Sequence, residues 1–157
     1  ESAFTTVGDL IARHRQKAAI GEAMRTVSEV NKYLADNEPW KLKGDDERER
    51  LGTILHVAAQ CVTDLNLVLS PFLPFSANAI DAAYGGTGDI APMPELREAE
   101  DLDGGPGYPI LTGDYTGVPA WGRRPLVVGT SIGKPSPVFT KLDPAVVDEE
   151  LARLNGD

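Results

Sequence analysis

Cysteine occurs once in this 157-residue chain, at Cys61, and histidine twice, at His14 and His56. One thiol closes no internal disulfide, and three such ligands build no cysteine-ligated zinc centre, so no metal is expected in this chain. His56 and Cys61 lie five residues apart, which does not align them on a helix face as a catalytic thiol pair. The longest apolar stretches are broken by polar residues within a few positions, and the N-terminus has no basic-then-apolar leader pattern. No membrane insertion is therefore expected, and the location expected is cytoplasmic. Positive charge is in deficit: 15 Lys and Arg stand against 24 Asp and Glu, a net charge of −9. That balance opposes a nucleic-acid-binding surface spread over the whole chain. Neither glycine cluster, Gly85-Gly86-Thr87-Gly88 or Gly104-Gly105-Pro106-Gly107, follows a strand or leads into Gly-Lys-Ser/Thr, so a phosphate loop is excluded. Glu98, Glu100, Asp101 and Asp103 lack the ligand spacing of a calcium loop. What remains is 41% hydrophobic and 25% charged residues, the composition of a globular protein with one core.

The acidity is uneven. Residues 1–50 hold nine of the fifteen cations against ten acids, whereas residues 51–157 hold six against fourteen. A face of the first part can thus be locally basic, through Arg13, Arg15, Lys17, Arg25, Lys32, Lys41 and Lys43, and a solvated helical face is the plainer reading of the same residues.

Over residues 6–36, Val7, Leu10, Ile11, Ile20, Ala23, Met24, Val27, Val30 and Leu34 recur at three- and four-residue steps, the period of an amphipathic helix. A break is expected near residues 13–17, which carry no large apolar side chain. Growth must stop before Pro39, which lacks an amide donor and drives Glu38 out of the right-handed helical region. A second helix is expected after the acidic turn at residues 44–47, with Asp46 and Glu49 at capping-box spacing. Its seam is Leu51, Ile54, Leu55, Ala58, Cys61, Val62, Leu65, Val68 and Leu69. The short connection makes the two helices antiparallel neighbours. A third helix is expected from Ser76, as N-cap, to about Tyr84, with Ala79, Ile80 and Ala83 inward.

Residues 85–133 contain eleven of the sixteen glycines and six of the twelve prolines. They read as an irregular insertion, with Tyr108, Ile110, Leu111, Tyr115, Trp121 and Leu126 as anchors for packing or short strands. Asp143-Pro144 then opens a last helix with Val147, Leu151 and Leu154 on one stripe and Gly156 as its stop. The fold class expected is an all-α antiparallel helical bundle: residues 1–84 as the bundle, 85–133 as the Gly/Pro-rich insertion, and 134–157 as a closing segment whose helix packs on the bundle.

One segment concentrates chemistry. In residues 31–43, Trp40 follows Pro39 at a helix end, with Lys41 and Lys43 close by. An indole so placed can stack on an unpaired base while cations hold phosphates; it can equally serve as a hydrophobic plug for the bundle end. Asn31, beside Val30 and Leu34, can likewise be a satisfied polar residue at a helix interface.

Asn31-x-Tyr33, then Pro39-Trp40, the helix to Leu69 and its end Leu69-Ser70-Pro71-Phe72-Leu73-Pro74 closely resemble the C-terminal anticodon-binding bundle of bacterial methionyl-tRNA synthetases, class I enzymes. Lys134-Pro135-x-Pro137-Val138-Phe139-x-Lys141-Leu142-Asp143 resembles that family's closing segment. The resemblance covers residues 1 to about 84 and 134–157. It implies that Trp40 stacks on a base of the CAU anticodon of methionine tRNAs, that Pro39 presents the ring and that Asn31 shapes the site. Lys32, Lys41, Lys43 and Arg25 are the expected phosphate contacts. The family's further anticodon readers, an Asn and an Arg on a preceding helix, would lie before Glu1. The family's catalytic signatures and zinc knuckle have no match here, so the chain is expected to bind without activating methionine. ATP, Mg and possibly Zn belong to an absent catalytic domain, which is the expected partner besides the anticodon loop of tRNA(Met). The equivalent bundle of an isoleucine, valine, leucine or cysteine synthetase, and a helical module with no RNA partner, are the alternatives.

Overall fold

The structure is a computed structural model that describes residues 2–134 and 136–155. Pro135 of the closing motif and Gly156, the expected helix stop, lie outside the described residues.

The long amphipathic pattern folds as two helices, α1 (Ser2–Ala12) and α2 (Gln16–Asn37), which pack on each other. The break falls where the apolar pattern lapses. His14 takes a left-handed conformation (φ 57°), and the amide of Arg15 donates to the carbonyl of Leu10 at 2.9 Å. α2 ends where the proline requires it. Glu38 adopts φ 42° and ψ 55°, its amide donates back to Leu34 O at 3.0 Å, and Pro39–Lys41 follows as a single 3-10 turn.

A second 3-10 turn, Asp45–Glu47, leads into α3 (Arg48–Leu69). The expected capping pair, Asp46 with Glu49, is not the one used. Glu47 instead accepts the amides of Lys43 and Gly44, both at 3.1 Å, and its own amide donates to Gly44 O at 3.0 Å. The chain starts to coil at Asp45, so the carboxylate that can reach back over the free amides is the one three residues after Gly44. Glu47→Ala should therefore lower stability by about 1 kcal/mol, whereas Glu49→Ala should leave the unfolding midpoint nearly unchanged; paired denaturant titrations compare the two.

α3 is the central helix and packs against α1, α2, α4 and both 3-10 turns. With its leading turn it is, among the described residues, long and apolar enough to span a bilayer by length and composition alone. Here part of that apolar surface, Ile54, Ala58, Leu65, Leu67 and Val68, is buried within the protein. The tightest cluster joins Phe4 and Val7 of α1, Ala19 and Ala23 of α2, and Leu67 and Val68 of α3. The first half of α2 thus meets the last half of α3, an antiparallel pairing, and small alanines allow the close approach. Leu55, expected in the seam, is exposed, while Gln60 and Asn66 are buried.

α4 runs Pro74–Ala83, two residues earlier than expected, with Pro74 in its first turn rather than Ser76 as cap. Its inward residues are Ala77 and Asp81, not Ala79, which is exposed. The reason is polar. Asn66 donates to Ala77 O at 2.9 Å, and the Asp81 carboxylate accepts from the Gly88 amide at 3.0 Å and from Arg124 at 3.1 Å. These partners fix the helix's rotation more firmly than the small apolar contacts of Ala79 could.

The Gly/Pro-rich segment contains one regular unit, an antiparallel hairpin of β1 (Glu95–Ala99) and β2 (Tyr108–Thr112), with Glu95 opposite Thr112 and Ala99 opposite Tyr108. The rest is not a free insertion. Asn78 exchanges hydrogen bonds with both backbone groups of Ala91, and residues 121–126 form a strap across α1, α3 and α4. The Trp121 indole donates to Phe4 O at 2.8 Å and meets the Phe4 ring edge-to-face at 5.6 Å. Gly8 makes room for it, since a Cβ there would lie 2.8 Å from the indole nitrogen. Gln60 acts as a surrogate strand: its amide nitrogen donates to Arg124 O at 2.9 Å and its oxygen accepts the Leu126 amide at 2.7 Å. Two ion pairs, Arg123–Asp64 and Arg124–Asp81, flank that contact.

The last helix, α5 (Ala145–Asn155), is opened by Asp143, whose carboxylate accepts the Ala145 amide at 2.9 Å. Val147, Leu151 and Leu154 are exposed in this structure, so the expected packing of that stripe on the bundle is not present in it. The strap, rather than this helix, covers part of α1, α3 and α4.

Candidate nucleic-acid interface

Of the residues singled out by the sequence, Pro39, Trp40, Lys41 and Lys43 lie where α2 gives way to the turn at Pro39–Lys41, whereas Asn31 and Lys32 lie within the last two turns of α2 and Arg25 stands apart in its first half. Pro39 is buried and packs toward α3, while the next side chain, Trp40, is 60% exposed. A rigid, buried proline followed by a solvent-facing indole is the opposite of a hydrophobic plug, which would hide the ring. The left-handed Glu38 produces this geometry by turning the chain sharply off the helix axis before the proline locks it. Asn31 is exposed on α2, six residues before its last, which disfavours the helix-interface reading. It lies about 9 Å along the axis from Asn37, at 1.5 Å per residue.

The four phosphate candidates differ in how they are held. Lys32 and Lys43 are exposed and, among the described residues, form no ion pair. Lys41 pairs with Glu38 at 2.7 Å. Arg25 is engaged twice, with Glu22 at 2.6 Å and Glu29 at 3.9 Å. Its hydrogen bonds hold the Glu22 carboxyl below the usual carboxylate range, and those same bonds push the Arg25 guanidinium up. Whatever stability this pair contributes is present above the ordinary carboxylate pKa and is lost as pH falls through the lowered value. An NMR titration should show Glu22 titrating below the usual carboxylate range, and Arg25→Gln should raise it. Such exposed pairs are weak and exchange readily for a phosphate. Carboxylates crowd the same end: Asp36, Glu38, Asp45, Asp46, Glu47 and Glu49 all lie within ten residues of Trp40. The tip is therefore suited to stacking and edge contacts more than to charge neutralisation.

Among the described residues, no grouping of three or more His, Cys, Asp or Glu could hold a metal ion. Cys61 is half-buried on α3. The residues that the sequence reading did not single out are those clasping the strap, Gln60, Asp64 and Asp81. Their only signal was polarity within or beside an apolar helix face.

No family model matches the chain. Individual proteins do. Over 153 residues, 98% of the chain, it is 71% identical to a methionine–tRNA ligase of Nocardioides sp. (strain ATCC BAA-499 / JS614). The chain belongs with the C-terminal quarter of the methionine–tRNA ligases. Identity is 61% over 153 residues, 98% of the chain, to the methionine–tRNA ligase of Salinispora tropica, and 53% over 162 residues, the whole chain, to that of Bifidobacterium adolescentis. The chain spans 25% of the first two of these ligases and 26% of the third. The irregular segment falls inside the matched length, so in these ligases, too, the stretch between bundle and closing helix is part of the C-terminal portion.

Proposed function

We propose that this chain reads the anticodon loop of methionine tRNA for a cytoplasmic ligase whose ATP-dependent catalytic part lies outside it. The single observation that carries the reading is the exposed indole of Trp40 raised on a buried proline. An anticodon is single-stranded, its bases can be splayed out, and each offers a flat face to an aromatic side chain. Trp40 supplies the platform, Pro39 fixes its direction, and Asn31 offers an amide to a base edge. Lys32 and Lys43, with Lys41 and Arg25 after exchange of their carboxylate partners, hold backbone phosphates. Residues 1–84 form the reading bundle, and the strap of residues 121–126 clasps it. ATP, magnesium and any zinc would be held by the catalytic part, which supplies methionine activation.

Hairpins differing only in the anticodon test this reading. The full ligase carrying this chain is expected to bind a CAU hairpin about 5- to 150-fold more tightly than one with a single base changed, since a mismatched contact costs about 1–3 kcal/mol. Equal binding would refute anticodon reading. Preference for an isoleucine, valine, leucine or cysteine anticodon would assign the bundle to another synthetase, and no binding of any hairpin would leave a protein-interaction role.

A further inference from the structure

At the opposite end of α2 from Trp40, the charge changes sign. Residues 13–17 read Arg13-His14-Arg15-Gln16-Lys17, and all five are exposed. The left-handed His14 turns the chain between α1 and α2, so the cations occupy one corner instead of being spaced along a helix face. A shallow surface concavity is lined there by His14, Arg15, Gln16, Lys17 and Ala18. Among the described residues, none of these side chains is in an ion pair, as is also true of Lys32 and Lys43, whereas Arg25, Lys41, Arg97, Arg123, Arg124 and Arg153 are paired.

The surroundings do not supply the missing anions. Among the described residues, the carboxylates nearest in the chain are Asp9, one turn before Arg13, and Glu22, just over one turn after Lys17, which is already paired with Arg25 at 2.6 Å. The end of α3, whose Leu67 and Val68 pack against Ala19 and Ala23 at this end of the bundle, and the chain that follows it carry no charged residue from Leu65 to Ile80. The first amides of α2 have no side-chain cap, which adds the positive end of a 22-residue helix. In a chain of net charge −9, such a corner is an exception.

Its position defines the partner. The length of α2 sets the corner about 30 Å from the Trp40 end. A few loop nucleotides around Trp40 do not reach that far, but a paired stem continuing from the loop does. We infer that the corner of Arg13, Arg15 and Lys17 is a second RNA contact, one that holds backbone phosphates of the stem whose loop meets Trp40. This rests on the anticodon reading above. It also resolves the electrostatics of the tip, where carboxylates around Trp40 leave little attraction for a polyanion. Phosphate contacts position an RNA without reading it. Two contacts at the ends of one rigid helix would fix both where the stem lies and which base reaches the indole.

The test compares wild-type ligase with the triple variant Arg13→Gln, Arg15→Gln, Lys17→Gln on two RNAs: whole methionine tRNA, and a CAU hairpin whose stem stops short of the corner. For whole tRNA the variant is expected to bind about 10-fold or more weakly at low salt. Its log affinity against log salt should flatten by about 2 to 3, near one for each phosphate that the variant no longer holds. Hairpin affinity should not change, and Arg97→Gln with Arg153→Gln should reproduce neither effect. Unchanged affinity and slope for whole tRNA would overturn the proposal, as would an equal loss on the short hairpin. Lowered thermal stability with an unchanged salt slope would overturn it in favour of a contact with the rest of the ligase. Failure of wild type to bind the hairpin while the tRNA effect persists would instead strike the Trp40 reading alone.

Discussion

Trp40→Ala is expected to lower affinity for a CAU hairpin by about 5- to 150-fold, the equivalent of the 1–3 kcal/mol that a stacked base contributes. The unfolding free energy should move by less than about 1 kcal/mol, because the ring is 60% exposed and supplies little to the core. The two readouts together separate stacking from plugging. A plug would lose stability first and affinity second. Trp40→Phe should recover part of the affinity, since a smaller aromatic face still stacks, whereas Trp40→Leu should not, although it is equally apolar. Pro39→Ala should fall between: the indole remains, but the chain on which it is raised is freed and must be ordered on binding.

Gln60→Ala has the opposite signature. The side chain is 4% exposed and joins α3 to the strap through Arg124 O and the Leu126 amide, with a further hydrogen bond to Asp64 at 2.9 Å. Truncation strands a carbonyl and an amide that face a helix instead of water, so a loss of about 2–3 kcal/mol of stability is expected. Faster hydrogen exchange at the Leu126 amide would locate it. Hairpin affinity should be nearly unchanged, because none of these contacts involves the residues around Trp40. An unaltered unfolding midpoint together with unaltered exchange at Leu126 would mean that the strap is not held at this point. Trp40 and Gln60 thus form a double dissociation, one variant costing binding and the other costing fold.

The parts of this structure legible in the sequence are those governed by neighbours in the chain. Pro39 dictated the end of α2, the missing apolar residues at 13–17 dictated its beginning, and the seam from Ile54 to Val68 announced the central helix. The resemblance pointed to Trp40, Pro39 and Asn31, and the 60% exposure of Trp40 speaks against a buried plug. What was not legible depends on distant partners. Gln60 reaches residues more than sixty positions away, and Trp121 reaches Phe4 across more than a hundred. A lone glutamine in a helix carries no periodic signal of such a partner. The rotation of α4 was missed for the same reason: Asp81 is turned inward by Gly88 and Arg124, which local hydrophobicity does not register. The cap of α3 failed by two residues because a 3-10 turn precedes the helix and moves the reaching carboxylate from Glu49 to Glu47. The hairpin kept its large side chains on the surface, with Leu96 and Leu111 exposed, so its residues gave no clean alternation to read.

The most direct measurement of the central claim follows the two indole N–H resonances of this chain as CAU hairpin is added. Trp121 is bonded to Phe4 O and serves as the internal reference. The Trp40 resonance is expected to shift and saturate with binding, with contacts to a base proton, while that of Trp121 stays in place. A hairpin that binds with Trp40 unmoved would contradict it.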